Sequence, residues 1–279
     1  MKIATPPSRG LLSYLPSVFA MSLGIASFGL HGQAYALAVD SELVLLVDVS
    51  QSGLNKNEFN TLMGGYAASF SSSQVLNSIQ SGAYGRIAVS LMLYGGSSFQ
   101  QVGIPWMSIG NAADAAQFAE LANSVAKPNS TGFPAVGSAI TAATRSFGTE
   151  TGAASNGFES SLQIIDVAAA VAPNAANSAA DTAARNTAMA SGVDLINTIA
   201  LGNKAAAIAA YYTTNVIGST VTGVTATTST SPINATLTTT LTSGLTQNVG
   251  AGLTVVPEPN AAFGVLFGIS LLILRRHRA

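Results

Sequence analysis

Residues 43–47, LeuValLeuLeuVal, restrict the fold more than any other stretch of the chain. Five consecutive aliphatic residues describe a strand buried on both faces, as in the middle of a parallel sheet. The run stops at Asp48, Ser50 and Ser52, spaced two apart, and Gly53 lets the backbone turn. In open α/β sheets ligands bind outside the carboxyl ends of the strands, so these three oxygen-bearing side chains are placed for a ligand. One carboxylate and two hydroxyls suit a hard cation such as Mg2+. The structural alternative is that they satisfy loop amides and cap the following helix.

The sequence beyond this point alternates strands with helices. Phe59, Leu62, Tyr66 and Phe70 fall at helical spacing over 54–70 and belong to a core face, with Gly64 and Gly65 permitting close approach to a strand. A second buried strand spans 86–94, and a short edge strand over 99–104 is ended by Pro105. Trp106, the only tryptophan, reads as a packing anchor. Helices follow at 111–125 and 135–147, then a strand at 161–167, a helix at 179–191 closed by Gly192, a strand at 193–199 and a helix at 205–212. Strands separated by helical stretches of this length predict an α/β fold: a doubly wound, mostly parallel, Rossmann-like sheet. The tract 219–240 is rich in Thr and Ser. Ile233, Leu237, Leu241 and Leu245 recur there every four residues, which predicts a final helix; a disordered, O-glycosylated stalk is the alternative.

Both ends read as targeting segments. Lys2 and Arg9 precede an apolar region at 11–30 and two small-x-small sites at 34–36 and 36–38, the pattern of a secretory signal over residues 1–38. An uncleaved anchor is the competing reading. At the other end, Pro257, Glu258 and Pro259 precede an apolar stretch at 261–274 and the basic residues Arg275, Arg276 and Arg278. Fourteen residues make a helix of about 21 Å, short against a hydrocarbon core of about 30 Å. A basic stop keeps the tail cytoplasmic and places the preceding chain outside.

Between these ends, over residues 39–256, eleven acidic and six basic side chains leave a net charge of −5, which offers no nucleic-acid footprint. There is no Cys, and the two histidines, His31 and His277, lie in the end segments. That excludes Ser-His-Asp and Cys-His catalysis and any zinc site built on imidazole or thiolate, and the chain is read as not an enzyme.

The order of Pro-Glu-Pro, hydrophobic helix and Arg-rich tail resembles the PEP-CTERM sorting segment, here residues 249–279. The resemblance implies a Gram-negative, exopolysaccharide-producing bacterium and an exosortase-type protease that cleaves near Pro-Glu-Pro. Passage through the inner membrane then ends at the cell surface or in the extracellular matrix. A plain tail anchor is the alternative.

The strand followed by Asp-x-Ser-x-Ser resembles a von Willebrand factor type A domain, in a bacterial branch of unassigned function. Stretches at 85–91, 102–109, 163–167, 191–197 and 211–218 extend the likeness over residues 39–248. It implies a metal-ion-dependent adhesion site, in which Mg2+ or Mn2+ takes a last ligand from an acidic partner. The resemblance assigns Asp48, Ser50 and Ser52 as ligands. Its second loop would place a Thr where Pro134 stands, leaving Thr131 as the substitute, and its third loop would place an Asp where Ala170 stands. Asn174 fits the pattern without the charge, and Asp166 lies too far back in its strand. The expectation is a surface or matrix binding protein with an incomplete adhesion site, its ligand an acidic protein or exopolysaccharide. The alternative is a structural component of the polymer matrix without metal.

Overall fold

The computed structural model describes residues 36–129 and 132–251. The apolar stretches at 11–30 and 261–274, and the sorting residues Pro257, Glu258, Pro259, Arg275, Arg276 and Arg278, lie outside the described residues. Among the described residues no helix is long and apolar enough to cross a membrane.

The described chain opens with β1 (Leu37–Ala38) and β2 (Glu42–Asp48), then α1 (Lys56–Phe70) and α2 (Ser73–Gln80). The hairpin of β3 (Ile87–Tyr94) and β4 (Gln100–Ile109) precedes α3 (Ala112–Ser124) and α4 (Val136–Ser146). After β5 (Phe158–Glu159) come β6 (Gln163–Ala169), α5 (Ser178–Ala190), β7 (Leu195–Leu201) and α6 (Ala205–Asn215). Two short strands, β8 (Gly218–Ser219) and β9 (Thr228–Ser231), lead to α7 (Leu237–Ala251).

The main sheet has the order β4-β3-β2-β6-β7-β8, with β9 also paired to β7. β3, β2, β6 and β7 run parallel, and β4 is an antiparallel edge. The aliphatic run sits in the middle and alternates between two cores. Leu43, Leu45 and Val47 face α1, α2, α3 and α7, while Val44 and Leu46 face α4, α5 and α6. Because β3 and β6 flank β2 on opposite sides, the carboxyl end of β2 is the topological switch point, the crevice position for a ligand in such sheets.

Local chemistry explains the helix starts. Asn55 accepts from the amides of Asn57 and Glu58 at 2.9 and 3.0 Å, and Glu58 accepts from the Asn55 amide at 2.8 Å, a complete capping box for α1. Gly192, just past α5, has φ +112°, a backbone conformation that only Gly adopts cheaply. Trp106 packs on Phe147 and Phe158 and donates its indole N–H to the Ser146 carbonyl at 2.8 Å, an anchor as expected.

Two expectations need correction. β4 does not stop at Pro105 but runs through it to Ile109. It is an edge strand whose register slips between Val89 and Leu91, so the missing amide of Pro105 falls where the ladder is irregular. Gly65 approaches a helix rather than a strand: a Cβ there would lie 2.7 Å from Leu241 Cδ1 of α7. At the edge of the expected signal segment, Leu37 and Ala38 form β1 and pair with Phe158 and Glu159.

The Thr-rich tract supplies the expected final helix and, ahead of it, a strand. It contributes β9, laid parallel on β7, before any helix begins, and β-branched Thr suits a strand. α7 then starts at Leu237, with Ile233 packing from ahead of it. Leu237, Leu241, Leu245 and Val249 are buried one above another. Each contributes about 2 kcal/mol by burial, against about 0.5 kcal/mol lost per Thr from poor helix propensity, so packing decides the outcome.

Candidate functional site

Asp48 is the last residue of β2, opposite Tyr94 of β3, and the chain leaves the sheet through Val49, whose amide donates to the Tyr94 carbonyl at 2.8 Å. Asp48 and Ser50 are fully enclosed, whereas Ser52 is exposed. The Ser50 amide donates to Asp48 Oδ1 at 2.8 Å, and the Gly53 amide donates to the Ser50 carbonyl at 3.0 Å, closing a tight turn over the carboxylate. The two atoms that this turn leaves over are Asp48 Oδ2 and Ser50 Oγ, buried and without a hydrogen-bond partner. They lie together: a Cβ built on Gly53 would meet Ser50 Oγ at 3.3 Å and Asp48 Oδ2 at 3.7 Å. Gly53, lacking a side chain, thus leaves beside an acid and a hydroxyl a small cradle that is closed off from solvent.

Unpartnered buried oxygens are rare because each costs about 1–3 kcal/mol. Burial pushes the Asp48 carboxyl up to about 6, opposed by the Ser50 amide, by the Ser50 hydroxyl beside it and by the positive charge of Lys127. The Lys127 ammonium lies 3.5 Å from the Val49 carbonyl, between the two candidate ligands in sequence. Sequence reading passed over Lys127, since nothing local in the loop 125–134 ties it to β2. Beneath the aspartate, in the second core, the Tyr94 and Tyr212 hydroxyls share a hydrogen bond at 3.3 Å. Burial, together with the neighbouring acids, holds both phenols above their usual range.

The other two loops of the expected site contribute unequally. Thr131 lies outside the described residues. Its neighbour Gly132 accepts from the Gln51 amide at 3.2 Å, which brings that loop onto the Asp48–Gly53 turn. Ala170 packs its methyl against the first core and supplies no oxygen side chain. Asn174 is exposed and caps its own turn by accepting from the Ala176 amide at 3.0 Å. Asp166 pairs in register with Leu45, three residues back from Asp48, and is buried under α7. Among the described residues no group of three acidic, His or Cys side chains gathers in one place.

A further acid, Asp181 of α5, takes over a job that the second loop leaves undone. Ala135 gives α4 no side-chain cap, and Asp181 Oδ1 accepts from the Gly137 amide at 3.0 Å while Oδ2 accepts from the Tyr211 hydroxyl at 2.7 Å. Burial raises its pKa, and these hydrogen bonds oppose the shift. The signal in the sequence was negative: a helix beginning Pro-Ala, with no residue able to cap it.

The fit to a hard cation is therefore partial but specific. Asp48 and Ser50 present free oxygens into one cradle, Ser52 is exposed, and Ala170 and Asn174 of the third loop add no ligand to it. The sheet order and the helices on both faces make an α/β, Rossmann-like fold of the kind that von Willebrand factor A-type domains share. The sequence pattern of the family described as "Protein of unknown function (DUF1194)" matches residues 38–249, and the chain belongs to that family.

Among solved structures, proximal thread matrix protein 1 from the mussel byssus, with a zinc-occupied MIDAS (adhesion-site) motif, is 15% identical with a TM-score of 0.50, over 77% of this chain and 49% of that one. The present chain spans about half the length of that protein. A von Willebrand factor type A structure from Catenulispora acidiphila is 13% identical at TM-score 0.43, over 77% of this chain and 43% of that one. Manganese-loaded TRAP protein of Plasmodium vivax is 14% identical at TM-score 0.41, over 73% and 71%. These likenesses concern the fold alone. No curated protein matches the chain in sequence.

Proposed function

We propose that this chain is an exported, non-enzymatic binding module that recognises an acidic group on a protein or exopolysaccharide through a divalent cation held at the end of β2. The observation that carries this reading is the pair of enclosed, unpartnered oxygens, Asp48 Oδ2 and Ser50 Oγ, facing one cradle. Mg2+ or Mn2+, when bound, supplies a point of positive charge that a partner's carboxylate can ligate. Asp48 contributes the charge, held rigid by β2 and by the Ser50 amide. Ser50 and Ser52 contribute hydroxyls, and Thr131 is the second-loop candidate. The mussel matrix protein, which carries zinc in its adhesion motif, lends support by fold. An enzymatic role is disfavoured because residues 39–256 contain neither His nor Cys.

The end segments supply the route in this proposal. A secretory signal is removed, and the pairing of Leu37 and Ala38 with β5 favours cleavage after Ala36. An exosortase-type protease then acts near Pro257–Pro259 at the inner membrane, and the product reaches the cell surface or matrix. Mass spectrometry of the extracellular form checks both cuts; recovery of Arg275, Arg276 and Arg278 in mature protein contradicts the second.

A specific observation favours a second reading, a metal-free matrix component: Ala170 fills the third-loop position with a packed methyl. Calorimetric titration of Mg2+ and Mn2+ into the full chain separates the two. Heat and a thermal shift that vanish in Asp48→Ala support the cation. No response at millimolar cation leaves the structural reading.

A further inference from the structure

Away from the candidate site, the first core encloses a second polar cluster. The Tyr66 hydroxyl of α1 is buried and has no hydrogen-bond partner. Together with Asp166, Asn197 and Asn248 it lines a cavity of about 20 Å3 between α1, α7 and the strands β6 and β7.

The hydrogen bonds around this cavity have a fixed direction. The Thr227 amide can only donate, so the Asn197 atom 2.7 Å from it is the oxygen. Asn197 Nδ2 then donates to Asn248 Oδ1 at 2.5 Å, and Asn248 Nδ2 donates to Asp166 Oδ2 at 2.6 Å. A backbone N–H thus makes Asp166 Oδ2 an acceptor by relay. Asp166 Oδ1 is not used by that relay, and the charge of Asp166 is felt at the Tyr66 hydroxyl. A free phenol donor and a spare carboxylate oxygen therefore border one space. That space passes the minimum of about 10–15 Å3 that a water needs, and it is too small for an organic ligand.

We propose that this cavity is a binding site for a single water, which accepts from the Tyr66 hydroxyl, donates to Asp166 and so ties α1 to β6 beneath α7. The bridge lies at the junction where the last helix closes over the sheet. It couples Tyr66 to Asp166 without direct contact between them, and it is independent of the cation reading at Asp48.

The test combines a crystal structure of the full chain, at a resolution that shows ordered water, with melting temperatures of Tyr66→Phe, Asp166→Asn and the double variant. The expected result is one density peak within about 3 Å of both Tyr66 Oη and Asp166 Oδ1. The double variant's melting shift at a fixed pH should differ by several degrees from the sum of the two single shifts, because either substitution already breaks the bridge. A cavity without density, a direct Tyr66–Asp166 hydrogen bond, or additive melting shifts overturns the proposal. So does a melting temperature that changes between sodium, potassium and choline chloride at equal ionic strength in wild type but not in Asp166→Asn, which identifies the occupant as a metal cation.

Discussion

Asp166 offers a quantitative check on the buried chemistry of this fold. Its carboxyl is enclosed under α7, and burial pushes it up to about 6 from 3.8, with the Asn248 amide partly opposing the shift. The folded state therefore holds this proton more tightly than the unfolded chain does. The stabilising contribution is fully present below about pH 4 and is lost as pH rises through about 6. A shift of about two pKa units corresponds to about 3 kcal/mol, of which about 2–3 kcal/mol falls between pH 4 and 7. Asp166→Asn keeps the shape and keeps an acceptor for Asn248, but cannot ionise. Other buried acids titrate too, so the informative quantity is the variant's stability minus that of wild type, measured by urea unfolding at each pH. That difference should rise by about 2–3 kcal/mol from pH 4 to 7 and then level off, equivalent to about 5–10 °C in melting temperature. A difference that stays flat across this window would refute the assignment of Asp166 as an acid whose ionised form is disfavoured by burial.

Three further substitutions bear on the site and its support. In Gly53→Ala the new Cβ meets Ser50 Oγ at 3.3 Å without demanding a left-handed backbone; the melting temperature should stay within a few degrees while Mn2+ binding by calorimetry falls at least about tenfold. Gly192→Ala combines φ +112° with a Cβ 2.5 Å from the Glu150 carbonyl oxygen, and should cost about 2–3 kcal/mol in denaturant unfolding; a loss under about 0.5 kcal/mol contradicts the strain. Lys127→Met removes the positive charge nearest the cradle and should tighten Mn2+ binding by roughly tenfold; equal or weaker binding shows that this ammonium does not compete with the cation.

The fold was legible wherever hydrophobic pattern and backbone chemistry agree. LeuValLeuLeuVal announces a central strand because only burial on both faces accommodates it, and Phe59, Leu62, Tyr66 and Phe70 mark one helical face. Pattern failed where tertiary context overrides local preference. Pro105 reads as a strand end, but at an irregular edge ladder its missing amide is harmless. Thr228–Ser231 reads as low complexity, since nothing in the tract itself shows that β7 leaves an edge free for it. The site divides in the same way. Asp48 and Ser50 were legible because one turn positions both, whereas Lys127 and Asp181 act on residues far away in sequence, through packing that no local spacing encodes.

The charge count at the cradle leads to the last prediction. Asp48 is its single acid, and Lys127 brings one positive charge close by, so the pair is near neutral before any cation arrives. A divalent ion entering there gains little from long-range attraction and depends on its ligands, of which the third loop supplies none. A partner's carboxylate restores the missing negative charge, so cation and acidic ligand should bind with positive coupling. Linkage then requires each to strengthen the other by the same factor. Mn2+ titrations of the full chain with and without an acidic polysaccharide such as alginate, matched by alginate titrations with and without Mn2+, measure that factor from both sides. A coupling of about 1–3 kcal/mol, or roughly 5- to 150-fold, is expected from both, and it should disappear in Asp48→Asn. Alginate that binds equally well in the presence of a chelator would show that recognition bypasses the cradle, and the free oxygens of Asp48 and Ser50 would then need another explanation.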